Sequence, residues 1–398
     1  MPVYLDHAAT TPMLPDARDA YIEALGVVGN PASIHSQGQQ AKRMLEEARE
    51  LVAASVSAEP VEVVFTSGGT EAVNLGIKGL FWKRQEARPR PRILVPGGEH
   101  HATIDAVEWL AAHDGAEIDW LPIDELGRLH PHTLREAIER DPESVALVSV
   151  LWANNEVGTI QPVSELTAVA TEFGVPAHVD AVSAFGYLPL DFHASGAAAL
   201  SISAHKIGGP VGVGALLLSR SAEIVPLFHG GSHQRGRSGT QDVAGAVAFG
   251  VAARRAADEV HGHAAALAVL RDRLIESVRL AVPDAVLRGD PDAAGRLPGN
   301  AHFTFPGCEG DSLLFLLDVA GLSVSTGSAC QAGVPEASHV LTAMGLSEAD
   351  ARGALRMTLG HGTTEADVDA LVAALPAAFA KGSKAGLSDR LVPLGHAR

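Results

Sequence analysis

The chain is poor in cysteine, with only Cys308 and Cys330 among 398 residues. Two thiols cannot build a disulfide framework, nor can they supply the ligand set of a thiolate zinc site. Each is therefore either a buried bystander or a reactive thiol. An excess of positive charge is also missing. The net charge of −17 argues against non-specific binding to nucleic acid or anionic lipid. No apolar run reaches the ~18 residues needed to cross a bilayer. The start, Met1-Pro2-Val3-Tyr4-Leu5-Asp6, has neither the basic nor the apolar region of a secretion signal. The expectation is a cytoplasmic protein without membrane or nucleic-acid partners. Internal repeats and low-complexity tracts are lacking too.

What is present is an ordinary globular balance, 46% apolar and 19% charged, in a chain long enough for two domains. From Val61 to Leu218 short apolar runs alternate with helical periodicity. Strands are expected over 61–65, 92–95, 145–152, 177–180, 199–203 and 214–219, with helices following the first two. This alternation predicts an α/β fold with a mainly parallel sheet covered by helices. Ligands of such sheets bind at the carboxyl ends of strands. After about Gly262 the texture changes. Leu267, Leu270, Leu274 and Val278 recur at helical spacing, and a loop over 288–299 leads to a strand over 301–305. A helix is expected near 311–320. Thr364 and Asp367 form a capping box for a last helix through Leu375, and the tail from Lys381 is small and polar. The expected division is a large domain over 15–261 and a smaller α+β domain built from 1–14 and 262–398.

The most telling local feature is Ser203-Ala204-His205-Lys206, with Asp180 upstream, each just after a strand-like run. A lysine and an aspartate at neighbouring strand ends can serve two poles of one aromatic aldehyde. The amine condenses with the aldehyde and the carboxylate holds the protonated ring nitrogen, as pyridoxal phosphate enzymes require. A buried Asp–Lys ion pair is the competing reading. Thr66-Ser67-Gly68-Gly69-Thr70-Glu71 joins a strand to a helix and can offer backbone N–H groups to a phosphate, or it is a plain capped turn. It is not a nucleotide P-loop, because no Gly-Lys-Ser/Thr follows. Gly208-Gly209-Pro210-Val211-Gly212-Val213-Gly214 precedes a strand, so it is not a dinucleotide loop.

His100, after Glu99, can stack on a planar group or exchange protons, and no convincing zinc ligand set accompanies it. Asn154-Asn155-Glu156-Val157-Gly158 can bond a carboxylate without adding charge, or simply turn the chain. Arg237-Ser238-Gly239-Thr240 suits either a phosphate or a surface loop. Arg356 stands among strand-like residues and needs an anion, which is either a substrate carboxylate or a structural acid. Cys330 lies in a flexible run, Ser328-Ala329-Cys330-Gln331-Ala332-Gly333, and is read as the reactive thiol; Cys308 is read as structural.

Taken together and in order, these pieces resemble the cysteine desulfurases of the NifS/IscS type, within the fold-type I pyridoxal phosphate superfamily. The similarity runs from Tyr4-Leu5-Asp6-His7-Ala8-Ala9-Thr10-Thr11-Pro12 to about Leu375. It includes Gly29-Asn30-Pro31-Ala32-Ser33, Glu99-His100, His178-Val179-Asp180 and Ser328-Ala329-Cys330. The resemblance implies a seven-stranded, mainly parallel sheet and a smaller C-terminal domain carrying a mobile cysteine loop. It implies that Lys206 carries pyridoxal 5'-phosphate and shuttles the substrate Cα proton. Asp180 would hold the ring nitrogen, and His100 would stack on the ring and assist proton transfer. Gly69, Thr70, Ser203 and His205 would bind the phosphate, joined by Thr240 from the other subunit of a homodimer. Asn155 and Arg356 would hold the substrate carboxylate. Cys330 would take sulfur from L-cysteine, release alanine and pass its persulfide to an iron–sulfur scaffold, a tRNA-thiolating enzyme or a sulfur carrier. A selenocysteine lyase, or another lyase or aminotransferase on the same cofactor, is the alternative. This chain departs from the family pattern at Ser183, where a glutamine usually meets the ring 3-oxygen. The loop 230–237 is one residue shorter, and Gln331 follows the cysteine.

Overall fold

Short runs of valine, leucine and alanine that are buried on both faces cannot stand alone. They pair into a sheet, and helices cover it. The computed structural model describes residues 2–231, 233–327 and 337–389. Its strands are β1 Val3–Tyr4, β2 Val63–Thr66, β3 Arg92–Pro96, β4 Glu117–Leu121, β5 Val145–Leu151, β6 Ala177–Asp180, β7 Ala199–Ser203, β8 Gly214–Leu218, β9 Val286–Leu287, β10 Asn300–Thr304, β11 Leu322–Ser323 and β12 Ala354–Thr358. Seven of these form the main sheet in the order β2-β8-β7-β6-β5-β3-β4. The strands from β4 through β7 in that order run parallel, whereas β8 is antiparallel to both β7 and β2.

Two departures from the sequence pattern have physical reasons. The chain returns from β7 to β8 without a crossover helix, so only an antiparallel pairing is open to it. β4 has the sequence EIDWL and lies at the sheet edge, where Glu117 is exposed and Asp119 pairs with Arg92; no clean apolar run advertises it. At the opposite end of the sheet, Gln234 exchanges two hydrogen bonds with the backbone of Phe65 in β2, at 3.1 and 2.7 Å, and so covers that edge.

The helix Val243–Ala281 has 39 residues and runs straight through position 262. Its first half buries Phe249, Ala252 and Ala253 against the main sheet. Its second half buries Leu267, Leu274 and Val278 in a separate core with Phe303, Phe305 and Leu355. That second core is built on the antiparallel sheet β12-β10-β9 and on the parallel pair β1-β11, which draws the N-terminus into it. The last helix, Glu365–Asp389, continues past Leu375 and through Pro376 and Lys381. Packing holds the extension in place: the Phe379 ring lies 6.2 Å from Phe305, and Gly382 sits close against Leu313 and Cys308. Cys308 is buried, as expected of a structural thiol. Among the described residues no helix is long and apolar enough to cross a membrane, and no group of His, Cys, Asp and Glu could hold a metal ion.

Candidate functional site

The carboxyl ends of β5, β6 and β7 open onto a cavity of about 430 Å³. Its walls carry Asp180, Lys206, His100, Asn155, Ser183 and Arg356, and Gly69, Thr70 and His205 close one side. Side chains from positions 69 to 356 thus meet in one space. β6 ends on Asp180 and β7 on Ser203; a single 3-10 turn, Ala204–Lys206, then swings the lysine across the strand ends. The strands are held in register beneath the site by His178. Its Nδ1 pairs with Ser149 Oγ at 2.9 Å and its Nε2 with Ser201 Oγ at 2.8 Å, which ties β5, β6 and β7 together. Burial pushes this imidazole down to about 3, so it is neutral. A side chain at Gly76 would come within 2.6 Å of the His178 ring, so glycine is needed for the helix Gly69–Gln85 to lie this close to the sheet.

Asp180 is buried and accepts a hydrogen bond from the Val182 N–H at 2.9 Å. Burial raises its carboxyl to about 6, against the opposing pull of that N–H and of Lys206. Lys206 is pushed the other way, to about 8, first by burial and then by Arg356. Its ammonium donates to the carbonyls of Ala8 and Ala9, the latter at 3.0 Å. A buried acid raised and a buried base lowered in one cavity are the pattern of a functional site.

The lining supports a planar group with an anionic substituent. Gly69 opens a 17-residue helix, whose first N–H groups point outward at the positive end of the helix dipole. A Cβ on Gly69 would meet Val182 at 2.9 Å and Ser203 at 3.4 Å, so the backbone itself forms that wall. Ser203 is fully buried and its Oγ has no hydrogen-bond partner, an orphan that an anion would satisfy. His205 Nδ1 pairs with Thr10 Oγ1 at 3.2 Å. His100 caps its helix, its Nδ1 accepting from the Ala102 N–H at 3.1 Å. Since Nδ1 accepts, Nε2 carries the proton, and burial lowers the ring to about 4, so a neutral imidazole lines the cavity.

On the opposite wall Arg356 donates Nη1 to the Asn155 carbonyl and Nη2 to Asp6 Oδ1, both at 2.9 Å, while its buried Nε has no partner. The structural acid weighed in the sequence is therefore present and is Asp6. Arg356 nonetheless remains on the cavity wall with donor capacity unspent. Asn155 Oδ1 is likewise buried without a partner. Arg237 is spoken for: its guanidinium bonds Glu71 at 2.9 Å, and Glu71 also accepts from the Ser67 N–H at 2.7 Å. Burial works to raise Glu71, but these donors outweigh it and hold the carboxyl below its ordinary value. Thr240 is exposed and does not line the cavity within its own chain. Cys330 lies outside the described residues.

Several residues of the site were not singled out by sequence reasoning. Asp6, Ala8 and Ala9 reach it only because β1 docks on β11, although their run had been noticed as a motif. Glu99 sits 2% exposed beside the site, with Oε1 accepting from the Leu151 N–H at 2.8 Å, Oε2 without a partner, and its carboxyl raised well above the ordinary range by burial. Its one visible signal was its place next to His100.

Comparison with known proteins places this geometry in a family. The aminotransferase class-V family model matches residues 3–371. An IscS-like cysteine desulfurase of Mycobacterium tuberculosis is 54% identical over 387 residues, covering 97% of this chain and 98% of that protein. Among solved structures, a NifS-like protein superposes with a TM-score of 0.86 at 32% identity, covering 96% of this chain and 100% of that one. SspA in complex with cysteine superposes with a TM-score of 0.76 at 32% identity, covering 89% of this chain and 98% of that one. By full-length likeness in sequence and fold, with a strand-end Asp–Lys cavity at its centre, this chain belongs to the class-V aminotransferase family, among the IscS-like cysteine desulfurases.

Proposed function

We propose that this chain converts L-cysteine to L-alanine with pyridoxal 5'-phosphate and retains the sulfur as a persulfide on Cys330. The observation that carries the reading is the buried Asp180–Lys206 pair in one cavity with Arg356 and Asn155. The fit to the cofactor rests on three features: a buried carboxylate with a raised pKa, an amine with a depressed pKa, and an unpartnered Ser203 hydroxyl beside a helix start. Bound there, pyridoxal phosphate supplies an electron sink for the substrate Cα. Lys206 would hold the cofactor's aldehyde and would hold and move the substrate Cα proton. Asp180 would keep the ring nitrogen protonated. His100 would stack on the ring and offer its Nε2–H. Gly69, Thr70, Ser203 and His205 hold the phosphate, and an exposed Thr240 is free to serve the site of a second copy in a homodimer. Ser183, shorter than glutamine, would either leave the ring oxygen without that contact or reach it through a water.

Arg356 and Asn155 orient the substrate carboxylate. The Cys330 thiolate attacks the substrate sulfur, the Cβ–S bond breaks with its electron pair left on carbon, and that carbon takes a proton to become alanine. No external reductant or oxidant is needed. The persulfide then passes to an acceptor protein, of which an iron–sulfur scaffold, a tRNA-thiolating enzyme and a sulfur carrier are the candidate kinds. In this reading residues 15–261 bind the cofactor, while 1–14 and 262–398 bring the substrate arginine and the thiol. The test is to incubate the loaded protein with L-cysteine and measure alanine and the mass of the Cys330 peptide. Equimolar alanine and a gain of one sulfur at Cys330 are expected. Unchanged alanine release with no added sulfur, or the same output from Cys330→Ala, would remove the thiol from the mechanism.

A further inference from the structure

Glu156 follows Asn155 in the loop after β5, and only 1% of its surface is exposed. It does not line the cavity that holds Asn155. Its carboxylate Oε2 instead accepts a hydrogen bond from Ser338 Oγ, and Ser338 is also 1% exposed. The same oxygen lies 3.2 Å from where a side chain on Gly327 would begin. Gly327 has φ of +89°, a conformation open mainly to glycine, and the place a side chain would take beside it is bordered by the carboxylate. The Glu156 backbone is fixed in turn: its N–H donates to Asn154 Oδ1 at 2.8 Å, and its carbonyl accepts from Asn300 Nδ2 at 3.0 Å.

Gly327 and Ser338 are the two ends of the stretch of sequence that contains Cys330. Each end has a second tie to the site. Before Gly327, Ser325 pairs through both its backbone groups with Arg356, at 3.1 and 2.6 Å. After Ser338, His339 Nε2 donates to the Glu99 carbonyl at 2.8 Å, next to His100. One buried carboxylate therefore bonds one end of the thiol-bearing stretch at Ser338 and lies beside the other at Gly327, next to the residue, Asn155, that lines the cavity. We propose that Glu156, through Ser338 and Gly327, is a positioning residue that sets where Cys330 can meet the substrate sulfur. This inference rests on the function proposed above. Glu156 touches neither substrate nor cofactor, so proton removal at Cα does not require it, whereas sulfur transfer does. Fixing the two ends of a chain at one point narrows the volume its middle can explore, which raises the effective concentration of the thiol.

The experiment compares two reactions of the loaded enzyme in Glu156→Asp, Ser338→Ala and the double variant. Glu156→Asp keeps the charge but retracts it by one methylene, and it leaves the Ser338 cap on Leu341 untouched. The first reaction is exchange of the L-alanine Cα proton with deuterated water, which needs no thiol. The second is single-turnover persulfide formation at Cys330, read by mass. Hydrogen exchange at Gly327 and across His339–Ala343 supplies a readout independent of activity. Exchange of the Cα proton within about twofold of the parent, persulfide formation slowed at least ~10-fold in each single variant, and a double variant no slower than the slower single are the results expected of a shared contact. Faster amide exchange confined to Gly327 and His339–Ala343 is expected alongside. Equal losses in both reactions, additive effects, or persulfide formation at the parental rate would overturn the proposal. A parent enzyme that exchanges the Cα proton but forms no persulfide would overturn the proposed function itself, and this inference with it.

Discussion

The two walls of the cavity are built differently. The wall proposed for the cofactor comes from strand–turn units of one sheet: Gly69 after β2, His100 after β3, Asp180 at the end of β6, and Ser203 to Lys206 after β7. Each group stands where a strand releases the chain, and His178 ties two of those strands, β6 and β7, to β5 beneath the site. The substrate wall is assembled from segments far apart in sequence. Asp6, Asn155, Ser325 and Arg356 come together through single contacts among β12, the N-terminal segment and the loop after β5. Chemistry that must not drift is placed on the rigid sheet. Groups that must admit a substrate and let a sulfur leave are placed where a few contacts can be remade.

This contrast can be broken most severely at Lys206. Lys206→Ala removes the side chain proposed to hold the aldehyde and carry the proton, and alanine formation should fall by at least ~10³-fold while folding is retained, as checked by turnover and circular dichroism. A fall of less than tenfold would relocate the base. A weaker blow should come from the other wall. Arg356→Lys keeps the charge but loses the planar fork that spans Asp6 and Asn155. KM for L-cysteine should rise on the order of tenfold with a smaller change in kcat; a pure kcat effect would assign Arg356 to scaffolding.

The pH dependence sharpens the cofactor wall alone. Burial lowers Lys206 to about 8, so below that pH the amine is mostly protonated and cannot condense with an aldehyde. Above it the amine is mostly free. The rate of pyridoxal phosphate uptake by the cofactor-free protein should therefore climb through about pH 8 and level off above it, and a flat profile from pH 6 to 10 would contradict the burial argument. The smallest effect belongs to Ser183→Gln. It fills space on the cavity wall without touching a charged group, and should alter the bound cofactor's absorbance with less than about threefold change in turnover. No spectral change would show that the ring oxygen makes no contact at this position.

Much of the cofactor wall was legible before any coordinates. β6 and β7 begin and end where the runs 177–180 and 199–203 do, because central strands buried on both faces are mostly apolar, and the polar residues within them, His178 and Ser201, bond each other. The chemistry-bearing residues Asp180, Ser203 and Lys206 then stand at the strand ends or just past them. β4 was missed for the complementary reason, since an edge strand carries charge and its pattern breaks. The last helix runs beyond Leu375, the end expected from the sequence, because buried contacts of Phe379 and Gly382 carry it through Pro376 to Asp389. The division near Gly262 is invisible in the backbone, where one helix serves both cores.

By itself the sequence determined the parallel sheet, the strand-end placement of Asp180 and Lys206, and the identity of the one thiol set in a small-residue run. These follow from local periodicity and from the chemistry of each residue type, which no tertiary contact is needed to express. Only the tertiary structure decided that Arg356 shares its charge with Asp6, that Arg237 is taken by Glu71, that Thr240 stands outside its own chain's cavity, and that Glu156 joins Gly327 to Ser338. Each of those depends on which distant segment arrives beside a buried charge. A buried charge accepts whatever compatible partner the packing delivers, and sequence spacing does not encode that choice.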